Sequence, residues 1–99
     1  VSGDGFFVYK NVTATGVTTI SISQYALLHS LVVNQPSTAA ANATIYASST
    51  TASAPFVIAS PQLNGISNTD YVYDCECQNG ITLEVGSAAT PINLTVIYR

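Results

Sequence analysis

Charge is the scarcest property of this chain: seven of its 99 residues are Asp, Glu, Lys or Arg, five acidic and two basic, for a net charge of −3. Nucleic-acid binding needs clustered Lys and Arg to neutralise phosphates. One lysine, Lys10, and one arginine, Arg99, near opposite ends of the chain cannot build that footprint, and an anionic membrane surface is excluded on the same ground. Long apolar runs are missing too. The longest, residues 25–33, is broken by His29 and Ser30 and falls well short of the roughly 18 residues of a helical membrane span. The opening Val1-Ser2-Gly3-Asp4-Gly5 has neither the basic nor the apolar stretch of a signal peptide. Synthesis in the cytoplasm, with the initiator Met removed, is the expectation.

Cysteine is nearly absent. Cys75 and Cys77 are separated by one residue, which in a strand places both on one side with Cα atoms about 7 Å apart, at the edge of disulfide reach. Two buried thiols made in a reducing compartment are expected. A single histidine, His29, leaves little for acid–base chemistry. It alternates with Leu27, Leu31 and Val33, so a hydrogen-bonded core or interface role is expected in place of catalysis. No serine sits in a G-x-S-x-G elbow. Asp74 and Glu76 share a strand face, but glycosidase carboxylates flank a cleft. Solvated carboxylates that discourage edge pairing are the simpler reading.

Metal ligands are equally thin. Cys75, Cys77 and His29 give at most three soft donors and no C-x-x-C pair, Asn64, Asn68 and Asp70 lack the EF-hand pattern, and no phosphate-cradling glycine pattern occurs. The chain is therefore expected to have no catalytic, cofactor or metal site and not to be an enzyme. Sequons at Asn11, Asn42 and Asn93 matter only in a secreted eukaryotic protein.

What the chain does have is strand composition. Ser, Thr, Val, Ile and Tyr dominate, and turn clusters recur every eight to twelve residues or so, as in a sandwich or barrel. Strands are expected over 6–13, 17–23, 26–34, 43–47, 56–59, 71–77, 81–85 and 92–98. In the first, Phe6, Val8 and Val12 share a face interrupted by Lys10; in the second, Ile20 and Ile22 face inward. The third carries apolar residues on both sides, Leu28 and Val32 on one and Leu27, Leu31 and Val33 on the other, and so is central or at an interface. Residues 48–54 read as an exposed hairpin tip. In the sixth, Tyr71, Tyr73, Cys75 and Cys77 alternate with Val72, Asp74 and Glu76. Asn79-Gly80 is the strongest hairpin signal, suited to a type I′ turn. The last strand sets Ile92, Leu94, Val96 and Tyr98 inward and Asn93, Thr95 and Ile97 outward. The expected fold is one all-β domain over 1–99, an antiparallel β-sandwich of about eight short strands with jelly-roll-like or Greek-key connections, with residues 1–8 as an N-terminal arm.

Forty-seven per cent of the chain is hydrophobic, whereas a soluble surface ordinarily carries roughly 25–35% charged side chains. Ser, Thr, Asn and Ala must cover the exterior, and such surfaces repel one another weakly. That suits a fixed place in an assembly. Six tyrosines fit core and interface packing; Tyr71 and Tyr73, sharing a face, also allow a sugar-stacking platform. Residues 11–60 and 86–98 carry no charge and are expected to hold the subunit contacts, with the acidic strand as the more solvated flank. Phe6, Phe7, Tyr25, Leu27, His29, Leu31, Val33 and Ile97 are the candidate interface residues.

The segments Tyr9-Lys10-Asn11-Val12-Thr13, Ala26-Leu27-Leu28-His29-Ser30-Leu31-Val32-Val33-Asn34, Ala43-Thr44-Ile45-Tyr46, Asn79-Gly80-Ile81-Thr82-Leu83 and Asn93-Leu94-Thr95-Val96-Ile97-Tyr98-Arg99 together resemble small all-β structural proteins of tailed bacteriophages. Head decoration, or cement, proteins match best. The resemblance spans residues 9–99 and rests on strand and turn patterns; the Tyr46-Ala47-Ser48-Ser49 stretch and Cys75 and Cys77 depart from it. It implies a virion subunit on the outer surface of the capsid, made in the host cytoplasm. Its partners would be the major capsid protein and further copies of itself, a homotrimer ahead of a dimer. Other virion posts (tail, head fibre, head–tail joining) and a carbohydrate-binding or adhesive module are the alternatives.

Overall fold

The computed structural model describes residues 6–49, 57–64, 69–87, 89 and 91–99. Its elements are β1 (Val8–Val12), β2 (Gly16–Ser21), β3 (Ala26–Gln35), β4 (Ala43–Tyr46), β5 (Val57–Ala59), β6 (Thr69–Cys77), β7 (Ile81–Val85) and β8 (Asn93–Tyr98). No helix forms among the described residues. The expected tip at 50–54, Phe56 and residues 1–5 of the expected arm lie outside them.

The chain folds back on itself as a nested series of antiparallel pairs: β1 with β8, β2 with β7, β3 with β6 and β4 with β5. Two further pairings, β3 with β8 and β4 with β7, join these ribbons. The result is two four-stranded sheets, β1-β8-β3-β6 and β2-β7-β4-β5. That order is a jelly roll, the more specific of the two connectivities expected. The sheets close over Leu28, Leu31, Val33, Leu94 and Val96 from one side and Ile45, Ile81, Leu83 and Val85 from the other.

Period-two alternation explains most of this packing. On β8, Leu94 and Val96 are buried while Asn93, Thr95 and Ile97 are half-buried on the outer surface. On β6, Tyr71, Tyr73 and Cys75 lean inward and Val72, Asp74 and Glu76 are exposed. β7 is central and buried on both sides; even Thr82 is covered, its hydroxyl donating to the Ser48 carbonyl at 2.7 Å. A loop plugs one end. Leu63, 1% exposed, is tied by backbone bonds to Ser37 and Ala41.

Three local expectations are corrected. Ser30 on β3 pairs with Ile97 on β8 while Leu28 pairs with Tyr98, which makes His29 an extra residue. Towards β6, Tyr73 and Asp74 together oppose His29. This bulge shifts the phase of β3 by one residue, as bulges do. Leu31 and Val33, expected on the interface side with Leu27 and His29, therefore point into the core, 0% and 1% exposed. Ile22, expected inward, is 79% exposed because β2 ends at Ser21 after a register shift at Ile20. Asn79-Gly80 does not close a hairpin: it carries the chain from β6 in one sheet to β7 in the other. Only Gly80 of the two has positive φ, +97°. Gly80 N–H donates to the Cys77 carbonyl at 3.4 Å, so a turn over Gln78 and Asn79 precedes the left-handed glycine and type I′ is not used.

Candidate interaction face

Registers across β1, β8, β3 and β6 determine which side chains share the outer surface of that sheet. One row runs Asn11, Thr95, Val32, Asp70; the next runs Tyr9, Ile97, Ser30, Val72. Beyond them Leu27 lies between Glu76 on β6 and Arg99, with which it exchanges two 2.9 Å backbone bonds. Tyr9, Ile97, Val32 and Val72 form a neutral apolar band over a floor of small, buried Ser30.

A ladder of amides stiffens one end of the band. Asn11 Nδ2 donates to Asn93 Oδ1 at 2.7 Å and to the Leu94 carbonyl at 2.9 Å, and Asn34 Nδ2 donates to Thr95 Oγ1 at 2.8 Å. Uncharged groups that satisfy one another in this way are cheaper to cover than ionised ones, because no charge is stripped of water.

The bulge holds the other end. His29 Nδ1–H donates to Asp74 Oδ1, the Phe7 ring lies on the imidazole with centroids 4.7 Å apart and planes tilted 30°, and the Arg99 guanidinium sits 5.7 Å from the Phe7 centroid. Asp74 occupies the left-handed region, φ +48°, which Asp tolerates better than most residues. Imidazole, aromatic ring and guanidinium thus stack in sequence and fasten Phe7 to the sheet. An oriented His–Asp pair is also two-thirds of a hydrolytic triad. Among the described residues the His29 side chain hydrogen-bonds to Asp74, and no described Ser, Thr or Cys is hydrogen-bonded to its ring.

Of the candidate interface residues, Phe7, Leu27, His29 and Ile97 meet on this face. Phe6, 73% exposed, lies just before β1 at its edge, and Tyr25 stands apart on the β2–β3 connection. Leu31 and Val33 are core. Sequence reading missed Tyr9, Val32 and Val72, and it missed Asp74 and Arg99 as partners of the His29–Phe7 stack. Pairing register is the signal that gathers them, and it is nonlocal.

The remaining chemistry is quiet. Burial, with Cys75 adding to it, pushes the Cys77 thiol up to about 12, so it stays a protonated, unreactive core group. Tyr46 donates to Glu84 Oε1 at 3.0 Å, which holds its phenol above the ordinary range. Tyr71 and Tyr73 are no open sugar platform: both pack against the core, Tyr71 donating to the Gln62 carbonyl at 2.9 Å. Among the described residues no three His, Cys, Asp or Glu side chains gather as a metal site. No protein-family model, no characterised protein and no solved structure matches the chain.

Proposed function

We propose that the chain is a structural virion subunit, a capsid decoration protein of a tailed phage, which docks on the outer shell and on its own copies through the outer face of β1-β8-β3-β6 and the adjoining β1 edge. The observation that carries this reading is the neutral band of Tyr9, Ile97, Val32 and Val72, bordered by exposed Phe6, just before β1, and Val8 on β1, an edge strand that among the described residues pairs on one side only, with β8. Sequence resemblance supports the phage assignment. The architecture is one that viral capsid domains share with lectins, although a fold alone carries no function. Repetition of weak neutral contacts over a symmetric shell gives avidity without any covalent step.

Cosedimentation with shells lacking the chain tests the proposal. Saturable binding at a stoichiometry set by capsid symmetry, lost in Ile97→Asp, is expected. A stable monomer that leaves such shells bare overturns it. A native-particle reconstruction separates this post from tail or head-fibre roles by copy number and position.

A further inference from the structure

At one pole of the sandwich, beyond Leu27 and the His29–Phe7 end of the outer face, the β2–β3 connection and the β6–β7 turn enclose an open-sided cleft of about 500 Å³ lined by Gln24, Tyr25, Glu76, Gln78 and Asn79. We propose that this cleft is a binding site for a neutral saccharide, with Tyr25 as the stacking platform and Glu76, Gln78, Asn79 and Gln24 as hydroxyl partners.

The cleft is built, not incidental. Ser21 and Ser23 hydroxyls accept from the backbone N–H groups of Ser23 and Tyr25 at 3.1 and 3.0 Å, two consecutive turns that shape the connection. Ala26 pairs with Cys77, which brings Tyr25 alongside Gln78. Gly80 then locks the second turn against the first: a Cβ there would lie 2.5 Å from the Ser21 carbonyl oxygen. Both walls are therefore held by backbone contacts, and little ordering remains for a ligand to impose.

The lining sets the ligand class. Tyr25 is 85% exposed, an aromatic ring held in water at the rim. Three side-chain amides offer donors and acceptors together, and the Glu76 carboxylate accepts only. None of these four polar side chains is engaged by another described residue. A pyranose presents the complement: a flat C–H face for the ring, and neighbouring hydroxyls that both donate and accept. Phosphates and nucleotides fit poorly, since the lining has no cation and one anion. One carboxylate is too few for a hard cation. An apolar ligand would strand the amides, and the volume lies within the range of small-molecule sites.

The test is independent of the capsid reading. Isotope-labelled protein is titrated with glucose, galactose, mannose, N-acetylglucosamine and their short oligomers, and backbone amide resonances are followed. Saturable shifts confined to residues 22–26 and 76–80, with Kd in roughly the millimolar range of an open site, are expected for at least one sugar. Inorganic phosphate is expected to give none. Tyr25→Ala, at an exposed position, should weaken binding about tenfold or more, and Glu76→Gln should weaken it while leaving the spectrum folded. Ile97→Asp, on the outer face, should leave it unchanged. Absence of saturable shifts with every sugar, or full affinity in both Tyr25→Ala and Glu76→Gln, overturns the proposal.

Discussion

Gly80 and Gly16 have nearly the same backbone and opposite surroundings, which makes them a matched pair for testing how the two sheets are joined. Their φ values are +97° and +101°. An alanine in such a conformation costs about 1–2 kcal/mol through the Cβ–carbonyl clash within its own backbone. At Gly16 nothing lies within 4 Å of the added Cβ, so that conformational cost is the whole effect. At Gly80 the added Cβ meets the Ser21 carbonyl oxygen at 2.5 Å, Ser49 N at 3.3 Å and Ile22 Cα at 3.4 Å, all backbone atoms. Relief requires moving the β6–β7 turn off the β2–β3 connection, and overpacking of this kind costs a further 1–3 kcal/mol or so. Gly80→Ala should therefore lose about 2–5 kcal/mol and Gly16→Ala about 1–2. A domain of this size loses roughly 4–8 °C in Tm per kcal/mol, so the gap should be at least about 4 °C. Urea unfolding monitored by circular dichroism and by tyrosine fluorescence measures both variants on one scale. If the two lose the same stability within about 0.5 kcal/mol, the turn does not press on Ser21 as described. The β6–β7 turn is then not locked against the β2–β3 connection, and the cleft walls are not held rigid by it.

Two further outcomes test the interior. Leu31→Ala should cost about 2–5 kcal/mol as a core truncation, whereas Ile97→Asp should stay within about 1 kcal/mol on the outer face; chemical denaturation of the pair checks the bulge, because without it Leu31 would also lie on the outer face and its truncation would cost no more than the Ile97 change. Alkaline titration of stability checks Cys77. In the unfolded chain the thiol releases its proton near its ordinary 9.0, whereas the fold retains it to about 12. Between those values the unfolded state binds fewer protons, so stability should be intact below pH 9 and decline from pH 9 towards 12. The raised phenols of Tyr46 and Tyr73 act with the same sign. Cys77→Ala should flatten the lower part of that decline, and a slope unchanged by the substitution would refute the assignment.

Strand positions were legible because each alternation is local. Residues 81–85 coincide with β7, and the inward set of β8 follows from its own apolar–polar alternation. β3 defeated the same logic. From Ala26 to Val33 nearly every residue is apolar, so either phase satisfies the pattern, and no Gly or Pro marks the extra residue at His29. Only the partners reveal it: one extra residue against β8, and two on β6 opposite one. Asn79-Gly80 failed differently. Its glycine does adopt positive φ, but the dipeptide reports the bend of the backbone and nothing about which sheet receives the next strand. In a jelly roll that is decided by a partner some sixty residues away: β7 pairs with β2 and β4. The candidate face was half legible for the same reason. Aromatic Phe7 and outward Ile97 could be picked by type and phase, whereas Tyr9, Val72 and Asp74 join them only through register.

Register also gives the scarcity of charge a direction. The first sheet has two edges, β1 and β6, and an open edge invites pairing with another chain unless it is blunted. β6 is blunted twice: Asp70, Asp74 and Glu76 line its exposed side, and the bulge at Asp74 bends its backbone. β1 carries a single charge, Lys10, between exposed Val8, Tyr9 and Asn11, with Phe6 and Phe7 leading into it. Three of the five acidic residues thus protect one edge while the opposite edge is left neutral and aromatic. If low charge merely reflected composition, the carboxylates would have no reason to favour one strand. Their placement, in a chain with so few, predicts association by way of β1 and against association by way of β6. Charge on the two edges should therefore act unequally: Tyr9→Asp should abolish self-association in sedimentation velocity, whereas Val72→Asp, which charges the far end of the band and adds a fourth carboxylate to β6, should weaken it without abolishing it. Equal sensitivity of both would refute the assignment of the edge.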